Sequence, residues 1–538
     1  MKKLLIIGVF LMLSLQQPRL ARLQASDQLP WWNDRVFYEV FVRSFYDSNG
    51  DGIGDLRGLI DKLDYLNDGD PNTTDDLGIT GLWLMPVQEA TRYHGYDVMD
   101  YRAIERQYGT ADDFRDLMAA AHERGIAVIV DLVLNHTSVL HPWFQASLRG
   151  EAPYADWYVW RDADPGYLGP DGQRVWHQYQ DRYYYGVFWE GMPDLNLENP
   201  ELTAAIYDIA TFWLDEMGVD GFRLDAVKHY VEDGENQINT PETIAWATGF
   251  SQHVHAVKPD ALTVGEIWSS SYDVAPYVPE AVDIAFEFDL ATALWTSAQQ
   301  RNPGGAVSLY NRALDLYPPG QFASFLTNHD QNRVMSELRG DVDAAKVAAS
   351  LLLTGPGVPF LYYGEEIGMM GRKPDERVRT PMQWTDDAVT AGFTEAARPW
   401  EPIATEGLEF NVAAETDDPA SLLSHYRALI HLRNAHPALR TGAYLPLGSA
   451  SRRVYAFLRH DDDETLLVIV NMDRQPTEDY ALTMNTGPLS GDLRAEVLYG
   501  LAPETALPAP VLNATGGFDD YAPLPQLEAR QTIIIKLK

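Results

Sequence analysis

Short runs rich in β-branched and aromatic residues recur along the chain, and longer amphipathic stretches lie between them. Residues 36–42, 81–85, 127–134, 221–225, 262–267, 284–288, 322–327 and 359–362 predict strands. Segments such as 111–124 and 202–216 repeat apolar positions at the helical period and predict helices. Strands alternating with helices in this way predict a parallel α/β fold. Eight strands in that rhythm fit a closed barrel, although periodicity alone does not separate a barrel from an open sheet. The rhythm breaks between about 137 and 195, where the sequence is aromatic and rich in Pro and Gly; that is too long for a plain loop and predicts a small inserted domain. After about residue 439 the character changes again. Runs at 454–458, 465–470 and 532–537, separated by turn residues, predict a C-terminal β-sandwich.

Length agrees with this division, since 538 residues exceed one ordinary core and predict two or three domains. Charge narrows the partners. Lys and Arg total 41 against 78 Asp and Glu, a formal net charge of −37. A field of that sign repels nucleic acid and anionic membrane surfaces, so neither is expected as a partner. The acid excess also fits either salt adaptation or plain solubility. There are no cysteines, which excludes disulfides, thiolate metal sites and Cys nucleophiles. Lys2-Lys3 followed by an apolar run over 4–15 suits a secretory signal and is short for a bilayer span. Cleavage after Ala25 is expected, with an uncleaved anchor as the alternative, and the mature protein is expected to be soluble, monomeric, and secreted or periplasmic. The resulting division is 1–25 signal, 26–136 first part of the barrel, 137–195 insertion, 196–439 second part of the barrel and 440–538 C-terminal domain.

Four predicted strand ends carry acids or histidines: Asp131-Leu-Val-Leu-Asn135-His136, Arg223-Leu-Asp225-Ala-Val-Lys228-His229, Glu266-Ile-Trp268 and Asn328-His329-Asp330. In a parallel barrel the C-terminal strand ends share one rim, where catalytic groups gather. Arg223 and Asp225 stand two apart on a strand and so point to one side. The guanidinium is expected to lower the Asp225 pKa and keep it ionised, as a nucleophile requires. Glu266 has no basic neighbour in sequence, and its apolar surroundings are expected to raise its pKa, as a general acid requires. Two carboxyls tuned apart are the equipment of a glycoside hydrolase. Singly, each acid reads as a turn or cap residue; the weight lies in the set.

These four segments resemble, in order, the signature regions of the α-amylase superfamily. Met192-Pro-Asp-Leu-Asn196, His94-Gly-Tyr96-Asp97, Gly109-Thr-Ala-Asp-Asp-Phe114 and Gly364-Glu-Glu-Ile-Gly368 are similar to further family motifs. The resemblance implies a (β/α)8 TIM barrel with a domain inserted after strand 3 and a C-terminal β-sandwich. It implies Asp225 as nucleophile, Glu266 as general acid/base and Asp330 as a third carboxylate that stabilises an oxocarbenium-like transition state. It further implies that Arg223 orients the nucleophile, that His136 and His329 grip the sugar at the cleavage site, and that Tyr96 stacks on it. Asp97 and Arg333 are implied to contact the same sugar, and Lys228 and His229 the leaving-group side.

Asp47-Ser-Asn49-Gly-Asp51-Gly-Ile53-Gly-Asp55 sets oxygen ligands at alternate positions, with glycines that permit a tight wrap around a hard cation. The start resembles an EF-hand loop, but the twelfth position is Gly58 rather than Glu, so a calcium-sensing helix pair is not expected. Many members of the superfamily carry this loop, which implies structural Ca²⁺ held by Asp47, Asn49, Asp51, Ile53 and Asp55. The resemblance also implies a second Ca²⁺ at Asn135, Asp194 and the His229 carbonyl. Ala226 after the nucleophile and the Lys228-His229 pair lean toward α-1,4 bonds, whereas the 47–55 loop and the 109–114 segment lean toward α-glucosidase-like relatives. The expected activity is retaining endo-hydrolysis of α-1,4-glucans and maltooligosaccharides. An α-glucosidase or transglycosylase on short sugars is the alternative, and a non-catalytic sugar-binding homologue the remote one.

Overall fold

A computed structural model describes residues 29–538; the expected signal segment, 1–25, lies outside the described residues. Eight parallel strands form a closed barrel: β1 (Phe37–Val40), β2 (Gly81–Leu84), β3 (Ala127–Leu132), β4 (Gly221–Leu224), β5 (Leu262–Gly265), β6 (Ile284–Phe286), β7 (Phe322–Ser324) and β8 (Val358–Tyr362). The ring runs in sequence order and closes where β1 pairs with both β2 and β8. This removes the open-sheet alternative. Most strands stop one to three residues short of the predicted run, because the last residues of each run leave the ladder and turn onto the rim.

Side chains alternate across each strand, so every second residue points into the barrel. The lower inward positions form an apolar plug of Phe37, Trp83, Ile129, Leu262, Val264, Ile284, Phe286, Ala323, Val358 and Phe360, packed as one cluster. One pleat further along, the inward residues become Glu39, Asp131 and Arg223, all buried. A charged layer therefore rests on a dry floor. The outward residues, such as Tyr38, Leu82, Val128 and Val130, pack beneath the surrounding helices.

Those helices start where capping chemistry places them. Thr110 and Asp113 form a reciprocal capping box ahead of Ala111–Glu123, close to the predicted span. Asn199 caps Pro200–Thr211, and a π-type turn, Phe212–Glu216, continues that helix and buries Trp213.

Between β3 and β4 lie the helix Pro142–Leu148 and a three-stranded antiparallel sheet of Trp160–Arg161, Arg182–Tyr185 and Trp176–Tyr179. Its own core is small: Val159, Val175, Trp176, Tyr185 and Val187. At the C-terminal end a five-stranded sheet containing Val454–His460, Thr465–Asn471 and Thr532–Leu537 faces a three-stranded one across a shared apolar core. Buried Arg459, from this end, and Arg433, from the last long helix of the barrel part, meet at one helix terminus and join the two. Their guanidiniums donate to the Leu353 and Thr354 carbonyls (both 2.8 Å), at the end of the helix Val342–Thr354. Among the described residues no helix is long and apolar enough to cross a membrane.

Gly221 opens β4 at a point of close approach. A Cβ there would lie 2.1 Å from the Leu262 carbonyl oxygen on β5, and φ is 156°. Gly221→Ala must push β4 away from β5, with a cost on the order of 1–3 kcal/mol. The expected result is a lower Tm together with reduced activity, because β4 carries Arg223 and leads into Asp225. An unchanged melting curve would show that the strand pair yields at no cost.

Candidate active site

The rim chemistry begins with Arg223. Ladder register sets it beside Asp131 on β3 and Val264 on β5. The side chain is fully buried; its Nη1 donates to both Asp131 oxygens (2.9 and 3.1 Å) and to Asp225 Oδ1 (2.6 Å). Its Nη2 lies 3.3 Å from Glu266 Oε2. One guanidinium thus reaches the carboxylates that follow two neighbouring strands, together with a third carboxylate beneath them. The indole of Trp83 and the ring of Tyr96 flank it at 5.1 and 5.8 Å.

This geometry corrects the expected division of labour between the two acids. Glu266 has no basic neighbour in sequence, yet strand pairing brings it one. Asp225 was expected to be lowered by Arg223; burial instead pushes it above the ordinary carboxylate range, and Arg223 pulls it only part of the way back. Glu266 is also raised by burial and opposed by Arg223. The asymmetry that survives is one of distance: Asp225 has a 2.6 Å charged hydrogen bond, while Glu266 has a longer ion pair and the Ala226 N–H at 2.8 Å. To aim that N–H, Ala226 adopts a left-handed conformation with φ 50°, a strained backbone of the kind that concentrates at functional sites. Asp131 is the most deeply placed acid; burial raises it to about 7 against the pull of Arg223.

Asp330 stands on the opposite side of the rim, after β7. Its carboxylate accepts from Arg379 Nη2 at 2.8 Å and lies 2.9 Å from His329 Nε2. Burial opposes ionisation, but His329 and then Arg379 outweigh it and hold Asp330 far below the usual range. Tyr96 OH connects the two halves, donating to Asp131 Oδ2 at 2.9 Å and lying 2.7 Å from His329 Nε2.

The other sequence-predicted residues divide into those that join the cluster and those that do not. Buried His136 donates a ring N–H to the Tyr96 carbonyl at 3.2 Å, and burial holds its pKa down to about 3, so it is neutral. Asp97 is buried beneath the same turn, accepts from the Arg92 N–H and is raised to about 6 by burial. Lys228 Nζ donates to the Trp268 carbonyl at 2.8 Å, joining the segments that follow β4 and β5. The ring of Phe188, from the insertion, lies 5.1 Å from that of His136 and 5.5 Å from that of His229. Arg333 lies behind the site. It is 2% exposed, its guanidinium donates to the Val378 and Tyr363 carbonyls, and it rests over Tyr362 and Tyr363. The arginine that touches Asp330 is Arg379. A single Arg in an irregular segment carries no pattern along the chain, so only the fold reveals it. Asp131 heads one of the four strand-end segments but has no role by resemblance, and Glu39 stands in none of them, although an acid inside an apolar strand run is a usable signal for both.

In the 47–55 loop the expected ligands alternate as oxygen donors, but they wind the backbone first. Asp47 accepts the N–H groups of Asn49, Gly50 and Gly52; Asn49 Oδ1 accepts that of Asp51, and Asp51 that of Ile53. Asp55 caps the next helix through the Gly58 N–H. Asp47 and Asp55 are buried, and among the described residues no Lys or Arg pairs with either of them or with Asp51. An all-oxygen set with three unpaired carboxylates has the donor chemistry of a hard-cation loop. Still, no three acid or His side chains are gathered at metal-holding distance among the described residues. At the second expected position, Asn135 Nδ2 donates to Asp194 Oδ2 at 3.0 Å, and Asp194 Oδ1 accepts the Val187 N–H at 3.1 Å. His229 lies on the short turn Val227–His229.

A closed parallel barrel whose rim holds several carboxylates around a buried arginine fits the class of barrel glycosidases. The family described as "Alpha amylase, catalytic domain" matches residues 39–442, and the chain belongs to that family. Alpha-amylase 3 of Dictyoglomus thermophilum is 40% identical over 450 residues, covering 83% of this chain and 86% of that protein. The trehalose synthase/amylase TreS of Mycobacterium tuberculosis is 34% identical over 510 residues, covering 83% and 82%. The crystal structure of alpha-amylase from H. orenii superposes with a TM-score of 0.79 at 41% identity, covering 94% of this chain and 99% of that one. The chain is therefore a glycosidase-type enzyme with an oligosaccharide substrate.

Proposed function

We propose that this enzyme hydrolyses internal α-1,4-glucosidic bonds of starch and maltooligosaccharides with retention, through a covalent glycosyl-enzyme intermediate. The observation that carries the reading is the single guanidinium of Arg223 in contact with both Asp225 and Glu266. Two carboxyls held that close suit the ~5–5.5 Å separation of retaining pairs. Asp225 attacks the anomeric carbon while Glu266 gives its proton to the leaving oxygen. Glu266, now anionic and beside Arg223, then takes a proton from the water that releases the sugar. Asp330 faces the positive charge that develops on the ring. Burial of Glu266 favours its protonated form before the first step, and Arg223 favours its anion after it.

The second reading, glucosyl transfer on short sugars, draws on the similarity to TreS. A time course of products from maltoheptaose and soluble starch separates the two. Early release of mixed short oligosaccharides supports endo-hydrolysis. Glucose alone, or products longer than the substrate, replaces it with an α-glucosidase or transferase.

Calcium is part of the proposal: when bound by the 47–55 loop, it would supply the positive charge that Asp47, Asp51 and Asp55 lack. Binding to the native state alone adds about 2.7 kcal/mol at a hundredfold excess over Kd. Exhaustive chelation is therefore expected to lower Tm, and calcium but not sodium to restore it. A chelated protein with unchanged Tm and no calcium by elemental analysis would remove the ion from the account. Export is likewise proposed from the N-terminal segment, and N-terminal sequencing of protein recovered from culture medium, beginning near residue 26, tests it.

A further inference from the structure

We propose that Glu39, on β1, is a positioning residue for Asp330: it holds the His329 ring with a proton on each nitrogen, so that Nε2–H pins the Asp330 carboxylate in its working place. Glu39 is 2% exposed and cannot reach a sugar, so it acts only through the histidine. The inference rests on the reading of Asp330 as the third carboxylate.

The argument is a count of donors and acceptors. Glu39 Oε1 lies 2.5 Å from His329 Nδ1. On the other side of the ring, Nε2 lies 2.9 Å from Asp330 Oδ2 and 2.7 Å from Tyr96 OH. Tyr96 commits its one proton to Asp131 Oδ2, whose other neighbours, Arg223 Nη1 and Trp83 Nε1, are donors already. Both ring nitrogens therefore face acceptors, and an imidazole satisfies two acceptor sides only when both nitrogens carry hydrogen. The ring is fully buried, which disfavours a charge, but Asp330 and Glu39 outweigh burial and raise its pKa to about 9. Asp131 and Asp225 also face the ring, and their anionic forms and the ring's charge favour each other, although burial raises both acids. Arg379 spends its guanidinium on the His329 carbonyl and on Asp330. Position explains why β1 supplies the group. Glu39 is the inward residue that follows Phe37, and β1 has no acid at its own rim.

The test begins with the unaltered enzyme labelled with ¹⁵N-histidine, with His329 assigned by its loss in His329→Asn. Both His329 nitrogens are expected to be protonated from pH 6 to 8 and to titrate only above that range. An Nδ1 signal typical of an unprotonated ring nitrogen at pH 7 would overturn the proposal without any variant. In Glu39→Gln, proton affinity at His329 is expected to fall at least tenfold, and kcat by about 10²-fold with little change in KM, the scale of a misplaced catalytic group. The loss is expected to deepen as pH rises through the new His329 titration. A pH-independent loss, or one confined to thermal stability, would reduce Glu39 to a packing role. Asp330→Asn separates the two readings: if that variant stays active, the role of Asp330 falls, while the proton count at His329 is measured independently of activity.

Discussion

Asp225→Asn is expected to lower kcat on maltoheptaose by on the order of 10⁴-fold or more, the scale at which nucleophiles and their partners fail when removed singly. That corresponds to about 5.5 kcal/mol of transition-state stabilisation. The amide is isosteric with the carboxylate and can still accept from Arg223, so the fold and substrate binding are expected to persist. Asp225 is mostly buried and lies 2.6 Å from the guanidinium, and no other carboxylate shares its place after β4. Glu266 and Asp330 remain ionisable but stand on other strands, so neither can supply the attack. Steady-state kinetics with a folded control by circular dichroism decide the matter. A variant within a hundredfold of the parent would remove Asp225 as nucleophile and with it the covalent mechanism.

Arg223→Met is expected to damage both activity and stability, because one buried cation serves Asp131, Asp225 and Glu266 at once. Removing one partner of a buried ion pair costs about 3–5 kcal/mol, since the charges left behind are uncompensated. The cost has a pH signature. Burial already raises all three acids, and the loss of Arg223 raises them further, so the folded state holds protons that the unfolded state releases. For a carboxyl with a raised folded pKa, the acid-side stability declines as pH climbs from the unfolded value near 4 through the folded value. The Tm gap between variant and parent is thus expected to be small near pH 5 and to widen toward pH 8. A gap that stays constant with pH would mean that Arg223 acts by filling space rather than by charge.

Much of this site is legible along the chain, and the reasons differ from residue to residue. Asp225, Glu266 and Asp330 stand at the ends of recognisable apolar runs, and a run's end becomes a rim position in any parallel barrel. The relation of Arg223 to Asp225 is a period-two relation within one strand, so it can be read locally. Glu39 is different: it sits in the apolar strand segment Phe-Tyr-Glu-Val, and nothing within several residues explains it. Its partner, His329, lies 290 positions away. Arg333, which the resemblance implied at the sugar, instead turns toward the Val378 and Tyr363 carbonyls, and the segment after β8 brings Arg379 back across the rim to Asp330.

Residue order alone settles the periodic elements, the alternation of helix with strand and the inventory of acids and bases at the strand ends. These depend on interactions within one or two turns or pleats, where periodicity, capping and hydrophobicity act. Closure of the barrel settles the rest: which inward residues share a layer, that Arg223 serves both neighbouring strands, and that β1 lends a carboxylate to the histidine beyond β7. Ladder register and burial are long-range properties. They set the distances and the loss of water that shift every acid at the rim, and no stretch of neighbouring residues encodes either one.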